Sequence, residues 1–227
     1  MSDRPYVLLS AAMSVDGYID DSSAQRLVLS GAADADRVDA LRAGADAIMV
    51  GAGTIRRDNP SLLVKSRQRR AERLARGLAG SPVKVTVSAT GHLDPAARFF
   101  ADDGVSKLVY VPGPAAAGLR RRLGGTATVI APADWLALGS VLADLAGRGV
   151  SRLMVEGGSL IHTEFLAAGL ADELQLAVAP VFVGDPAAPR FVGTAPFPHG
   201  PGARMELAEV GSAGDMVVVR YLLRSPA

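Results

Sequence analysis

Between Arg152 and Asp172 the chain sets a carboxylate and two glycines where an apolar strand gives way to an amphipathic helix. Arg152 to Val155 reads as a buried strand and Glu156-Gly157-Gly158-Ser159 as the turn. Ile161, Phe165 and Ala168 then recur at helical spacing. Paired glycines let backbone N–H groups approach a ligand closely, and a helix N-terminus favours an anion. The chemistry such a turn serves is the holding of a phosphate or pyrophosphate. The same residues also make a tight turn that needs glycine and binds nothing. Glu156 is the sharper signal, because a carboxylate at the end of an apolar strand needs a partner or a function.

Other standard chemistries are screened against the same sequence. No Gly-x-x-x-x-Gly-Lys-Ser/Thr occurs, which excludes a P-loop. Gly51-Ala52-Gly53-Thr54-Ile55-Arg56 begins like a dinucleotide fingerprint, but Arg56 stands where the third glycine belongs. His92, His162 and His199 lack metal-ligand spacing, and the absence of Cys excludes disulfides, thiolate catalysis and a zinc deaminase centre. No Gly-x-Ser-x-Gly elbow is found. Carboxylates, hydroxyls and backbone donors around glycine-rich turns remain. That set suits orienting a phosphorylated ligand beside a cofactor that brings its own reactivity. Plainer roles stay open for several residues. Asp16-Gly17 and Asp58-Asn59-Pro60 are natural turns, and Arg42 near a helix end can complement the dipole. His162 and Trp135 read as packing residues.

The elements that must position these groups alternate between strand and helix. Strands are expected at Tyr6 to Ala12, Asp46 to Val50, Val83 to Val87, Lys107 to Val111, Ala127 to Ile130, Arg152 to Glu156 and Leu174 to Ala179. Arg204 to Val210 and Met216 to Leu223 read as a hairpin across Gly211-Ser212-Ala213-Gly214. Helices are expected at Ala32 to Ala43, with Val38 and Leu41 inward, at Leu119 to Leu123, at Val141 to Arg148 and from Ser159. Such alternation argues for an α/β fold with a mostly parallel sheet, helices on both faces and a C-terminal antiparallel hairpin. Ligands of such sheets sit beyond the carboxyl ends of strands. Asp16-Gly17, Gly51 to Asp58, Ser88 to His92 and Glu156 to Ser159 are therefore expected on one rim.

At 227 residues, with 49% hydrophobic content and a net charge of +1, the chain reads as one domain over 1–227 with a well-filled core. It has no global field for nucleic acid or membrane. No signal peptide or transmembrane helix is read in it, the N-terminus Met1-Ser2-Asp3-Arg4 leading straight into a strand, so a cytoplasmic location is expected. The segment Lys65 to Arg76 carries six basic residues and one acid, Glu72. It reads as a solvated connection or exposed helix, in preference to a phosphate-seeking arm.

The blocks Ser14-Val15-Asp16-Gly17, Leu41-Arg42-Ala43 and Val50 through Pro60 resemble the RibD C-terminal family, the reductase domain of riboflavin biosynthesis. The resemblance continues through Val155 to Leu160, Asp172-Glu173-Leu174, and Ala179-Pro180 to Val183-Gly184, in the family's order and over nearly the whole chain. It implies a dihydrofolate-reductase-like three-layer α/β/α sandwich. It also implies an NADPH-dependent reduction of a ribosylaminopyrimidine 5′-phosphate to its ribityl counterpart, by hydride transfer to C1′ of the ribose, with no metal. Orientation of the two carbons and management of the developing charge would be the protein's part.

By the same resemblance, Ala12, Gly53, Thr54, Asp58, Ser88, Thr90, Gly157, Gly158, Ser159 and Leu160 are expected at the cofactor. Asp58 and Glu156 are expected to be catalytic, and Arg42, Leu62, Lys65 and Glu156 to contact substrate. The family often shows Asp-Ser and a later Arg after the third strand, where this chain has Ser88-Ala89-Thr90-Gly91-His92. His92 supplies less permanent charge for a 2′-phosphate than Arg. The loop Asp20 to Leu27 also departs from the family pattern near the pyrimidine. No deaminase segment is read, so the substrate is either the deaminated or the diamino pyrimidine. A homodimer paired through the exposed edge and C-terminal hairpin is expected. The competing readings are a pterin or dihydrofolate reductase of the same fold and a nucleotide-binding regulator without turnover. Arg42 with Lys65 separates the first, and Asp58 with Glu156 the second.

Overall fold

A computed structural model describes residues 3–23, 25, 27–135 and 137–223. Ala24 and Arg26 of the divergent loop, and Met1 and Ser2 of the N-terminal segment, lie outside the described residues. The chain forms two compact units, one built from residues up to Tyr6 and Asp39–Met154, the other from Val7–Val38 and Val155 onward. The boundary falls within a helix, α1 (Ala32–Ala43), and within two strands, β1 (Tyr6–Ser14) and β6 (Arg152–Gly157).

In the first unit, β2 (Ala47–Gly51), β3 (Val83–Val87), β4 (Lys107–Tyr110) and β5 (Thr128–Ile130) run parallel in the order β5-β4-β3-β2. Ala47 to Val50 and all of β4 are buried, as continuous runs in a sheet covered on both faces should be. Side chains alternate across β4. Val109 and Val111 join a core with Ile48, Ile55, Leu62, Phe99 and Leu119, under α2 (Ala52–Asp58) and α4 (Gly113–Leu123). Tyr110 instead bonds Asp144 at 2.6 Å, on α5 (Leu138–Gly147). In the second unit β1 (Tyr6–Ser14) pairs in parallel with β7 (Glu173–Ala179). β7 is antiparallel to β9 (Met216–Leu222), and β9 to β8 (Glu206–Ala213). The mostly parallel α/β class and its antiparallel C-terminal strands are as expected.

Four local differences have physical causes. The hairpin turn is only Gly214-Asp215, with Ala213 paired to Met216. Gly214 at φ +67 supplies the left-handed residue, so Gly211 to Ala213 stay in the strand. On α1 the deepest residues are not Val38 and Leu41, which are half-buried, but Asp34 and Asp39. Asp34 accepts from Ser30 and Arg37, and Asp39 from the Lys65 and Ser66 N–H groups and Arg69. Burial alone would raise the Asp39 carboxyl, but these bonds outweigh it and hold it below its ordinary value. Third, Gly51 to Asp58 is not a loop, because Gly51 closes β2 and α2 occupies the rest, ending on Asn59 at φ 44. Last, the basic segment holds α3 (Arg67–Ala75), which is not wholly solvated. Arg73 is buried and donates to the carbonyls of Ala43, Ala45 and Ala79 at 2.8–2.9 Å. Arg70 bonds the Val64 and Lys65 carbonyls.

Candidate active site

In the first unit, neighbouring parallel strands deliver two candidate segments. Gly51 pairs with Val87, so α2 and the turn after β3 leave adjacent strand ends. Thr54 and Asp58 are one helical turn apart and share a face of α2. Both are half-buried, and Gly53 is exposed. After β3, Ser88 is buried and its hydroxyl accepts from Gly91 N–H at 3.0 Å, so its oxygen shapes the turn. Gly91 takes φ +68. Thr90 and His92 are exposed.

Two arginines that the motifs did not point to close around this turn. Arg56 Nη1 donates to the His92 carbonyl at 3.1 Å, while its Nη2 lies 4.0 Å from where a Cβ on Gly53 would stand. Arg122, on α4, donates to the Gly91 carbonyl. Permanent positive charge therefore sits at the turn that carries Thr90, although Ser88 to His92 holds no Arg. Arg56 lies in the block Val50 to Pro60 and stands where a fingerprint would have its third glycine, and no role is expected of it from sequence. Arg122 lies 31 residues from Gly91 and gave no local signal.

The expected substrate-phosphate residues also gather in this unit. Arg42, in the last turn of α1, donates to the Leu63 carbonyl at 3.2 Å. Lys65 has its N–H on Asp39 and its carbonyl on Arg70, leaving a fixed backbone under an exposed side chain. Leu62 is 2% exposed, packs in the core and holds φ +52. A bulky side chain at positive φ persists only where its surroundings over-determine it. Leu62 thus anchors the segment that presents Lys65.

In the second unit Ala12 pairs with Ala177 and packs on Ala177, Ala179 and Met216. Glu156 is half-buried at the penultimate position of β6 and Gly157 is buried. Gly158 takes φ +99 and ψ 128, a conformation closed to other residues, and caps α6 (Ser159–Ala167) without a side chain. The first N–H groups of α6 have no partner within the helix and carry its positive dipole end. Leu160 is 81% exposed in that first turn. The Ser159 hydroxyl donates to the Arg190 carbonyl. His162 is a packing residue. It is fully buried with its ring 5.1 Å from Phe191, and neither ring nitrogen makes a hydrogen bond. Burial pushes its pKa down to about 4. Asp16 accepts from the Ser14 hydroxyl and from the N–H groups of Val183 and Gly184. Those bonds pull its pKa down to about 2.

The second unit thus offers a glycine-capped helix start to an anion, and the first unit the half-buried Thr54–Asp58 face and two arginines at the turn after β3. Among the described residues no cluster of three or more His, Asp or Glu could hold a metal ion, and no helix is long and apolar enough to cross a membrane.

Comparison with known proteins agrees with the fold. Residues 5–219 match the family model of the RibD C-terminal domain, through both units. The 2,5-diamino-6-ribosylamino-4(3H)-pyrimidinone 5′-phosphate reductase of Archaeoglobus fulgidus is 37% identical over 80% of this chain and 83% of its own. The reductase of the same name from Methanothermobacter thermautotrophicus is 34% identical over 97% of this chain and 99% of its own. Among solved structures, a pyrimidine reductase-like protein of Corynebacterium diphtheriae superposes with a TM-score of 0.81 at 25% identity, covering 98% of this chain and 93% of its own.

Proposed function

The chain belongs to the RibD C-terminal domain family, and from that premise we propose that it reduces the ribose of a ribosylaminopyrimidine 5′-phosphate to ribityl in riboflavin biosynthesis. It is an oxidoreductase that uses a nicotinamide cofactor. NADPH is the form we assign, and the diamino pyrimidine the substrate, after the relatives of that name. The observation that carries the reading is the turn Glu156-Gly157-Gly158-Ser159. A carboxylate there directly precedes a helix start that only glycine can shape.

The reduced nicotinamide supplies the hydride. The residues of the chain bind, orient and manage charge. Backbone N–H groups from Gly158 to Leu160 receive phosphate, with Gly157 buried to let them approach. Gly53, Thr54 and the Ala12 strand end contact the cofactor. Thr90, Arg56 and Arg122 read the 2′-phosphate, on a turn that Ser88 holds in shape. Asp58, at the end of α2, contacts the cofactor and assists at the substrate ribose, and Glu156 holds the substrate and helps manage the developing charge. Arg42 and Lys65 bind the 5′-phosphate, Lys65 as a point charge, with Leu62 fixing the segment that presents Lys65.

Residues 1–227 serve as one reductase domain in the cytoplasm, and the active species is a homodimer. Support for pairing comes from β8. Leu207 and Val210 are exposed there, on the face they share with Val217 of β9. The test is NADPH oxidation followed optically against the diamino and deaminated ribosylaminopyrimidine phosphates, a pterin and dihydrofolate. Turnover of a ribosylaminopyrimidine phosphate alone is expected. Tight NADPH binding with no turnover of any of them would refute the reading, and a monomer mass at micromolar concentration would refute the homodimer.

A further inference from the structure

The segment from Pro180 to Gly193 looks in sequence like a proline- and glycine-rich connection, yet it is tied down at both sides within the second unit. On one side stands the turn after β1. Val15 N–H bonds the Val181 carbonyl at 2.9 Å, and the Asp16 carboxylate takes the N–H groups of Val183 and Gly184 at 3.1 and 2.8 Å. Further along, Ile19 N–H bonds the Pro189 carbonyl and Phe191 N–H the Gly17 carbonyl, both at 2.9 Å. The Arg190 guanidinium donates to the Tyr18 hydroxyl at 2.9 Å and to the Asp16 carbonyl at 3.3 Å. It also lies 4.5 Å over the Tyr18 ring. Tyr18 is itself buried, its N–H on the Ser14 hydroxyl.

The other side is the first turn of α6. The Arg190 carbonyl accepts the Ser159 hydroxyl. One turn on, Thr163 Oγ1 donates to the Ser159 carbonyl at 2.6 Å and accepts from Gly193 N–H at 2.8 Å. A hydroxyl carries a single proton. With that proton donated to the Arg190 carbonyl, the Ser159 side chain has none left for a phosphate.

We propose that Arg190, held by Tyr18 and Asp16, is a positioning residue for the cofactor turn, and that the Ser159 hydroxyl is a strut to Arg190 and not a phosphate ligand. The strap sets where the α6 N–H groups point. Phosphate is then met by backbone N–H groups alone, and its affinity depends on side chains that never touch it. This assignment rests on the reading of Gly157 to Leu160 as the cofactor's phosphate seat.

The test is NADPH binding to the free enzyme by calorimetry, for Arg190→Ala, Ser159→Ala and the double variant. Hydrogen exchange at the amides of residues 159–163 is measured on the same proteins without cofactor. Each single change is expected to weaken binding about tenfold, the scale of one lost charge-assisted or neutral hydrogen bond. The double variant should be no worse than about tenfold, because both act on the same strut, Ser159→Ala by removing its donor and Arg190→Ala by loosening the backbone that carries its acceptor carbonyl. Exchange should quicken at 159–163 in all three and stay unchanged in β7 and β9. Tyr18→Phe, which removes one hydroxyl, should move both readouts the same way by less, and it serves if Arg190→Ala folds poorly. A double variant weakened about a hundredfold, or a loss confined to Ser159→Ala, would show direct phosphate binding and overturn the proposal. If the wild type binds no NADPH the cofactor reading fails. The exchange data then still decide whether Arg190 orders the turn, unchanged exchange at 159–163 counting against it.

Discussion

His162 makes the stability of this protein depend on pH in a narrow, assignable window. The ring is fully buried one turn into α6, with both nitrogens lacking hydrogen bonds. Burial lowers its pKa from 6.5 to about 4, and the helix N-terminus nearby further disfavours a cation. Because the folded pKa is depressed, the unfolded chain binds the proton first, so stability is full above pH 6.5 and falls as pH drops toward 4. At pH 7.5 both states are neutral. At pH 5 the unfolded imidazole is almost wholly protonated and the folded one is not, a difference of about 2 kcal/mol by proton linkage. The carboxylates of Asp16, Asp39, Asp103 and Asp144 are all held below 3.8. Their contributions are lost only as pH falls below that value, so an endpoint of pH 5 isolates the histidine. Urea unfolding of wild type and His162→Phe at pH 7.5 and pH 5 gives the comparison. The wild type should lose about 2 kcal/mol more than the variant. Equal losses in the two proteins, or an NMR titration of His162 near 6.5, would refute the argument.

Asp58→Asn should lower kcat about a hundredfold, the usual scale for a group assisting proton or charge transfer, as steady-state kinetics will show. Arg56→Ala and Arg122→Ala should each raise the NADPH KM about tenfold and leave that for NADH unmoved, as steady-state kinetics with both cofactors will show. Lys65→Ala should raise the KM for the 5′-phosphorylated substrate about tenfold and spare a dephosphorylated analogue. An equal rise for both would remove Lys65 from the phosphate site.

The strands were legible because the sheet buries them as short apolar runs between polar turns. β3 coincides with its expected range even though its Lys84 is fully buried, where it pairs with Asp103. The bounds of α1 and the start of α6 were also legible, although the apolar spacing on α1 pointed to Val38 and Leu41 where Asp34 and Asp39 lie deepest. α2 was not, because Gly51 and Gly53 read as a breaker, yet the four-residue spacing of Thr54 and Asp58 held the clue to their common face. Pro114 at the N-terminal end of α4 was likewise a start signal that an apolar count from Leu119 passed over. The strap could not be read at all. Arg190 meets Asp16 across 174 residues and Tyr18 across 172, and such pairings leave no trace in local pattern. Candidate residues came from motifs, while their supports, Arg56, Arg122 and Arg190, came only from tertiary geometry.

The most direct test of the central claim follows the hydride itself. Wild-type enzyme is given the diamino ribosylaminopyrimidine 5′-phosphate with NADPH deuterated at the transferred position, and the product is read by mass and NMR. The account predicts one deuterium per product, at C1′ of a ribityl chain. A product without deuterium, or with it on the pyrimidine ring, would contradict it.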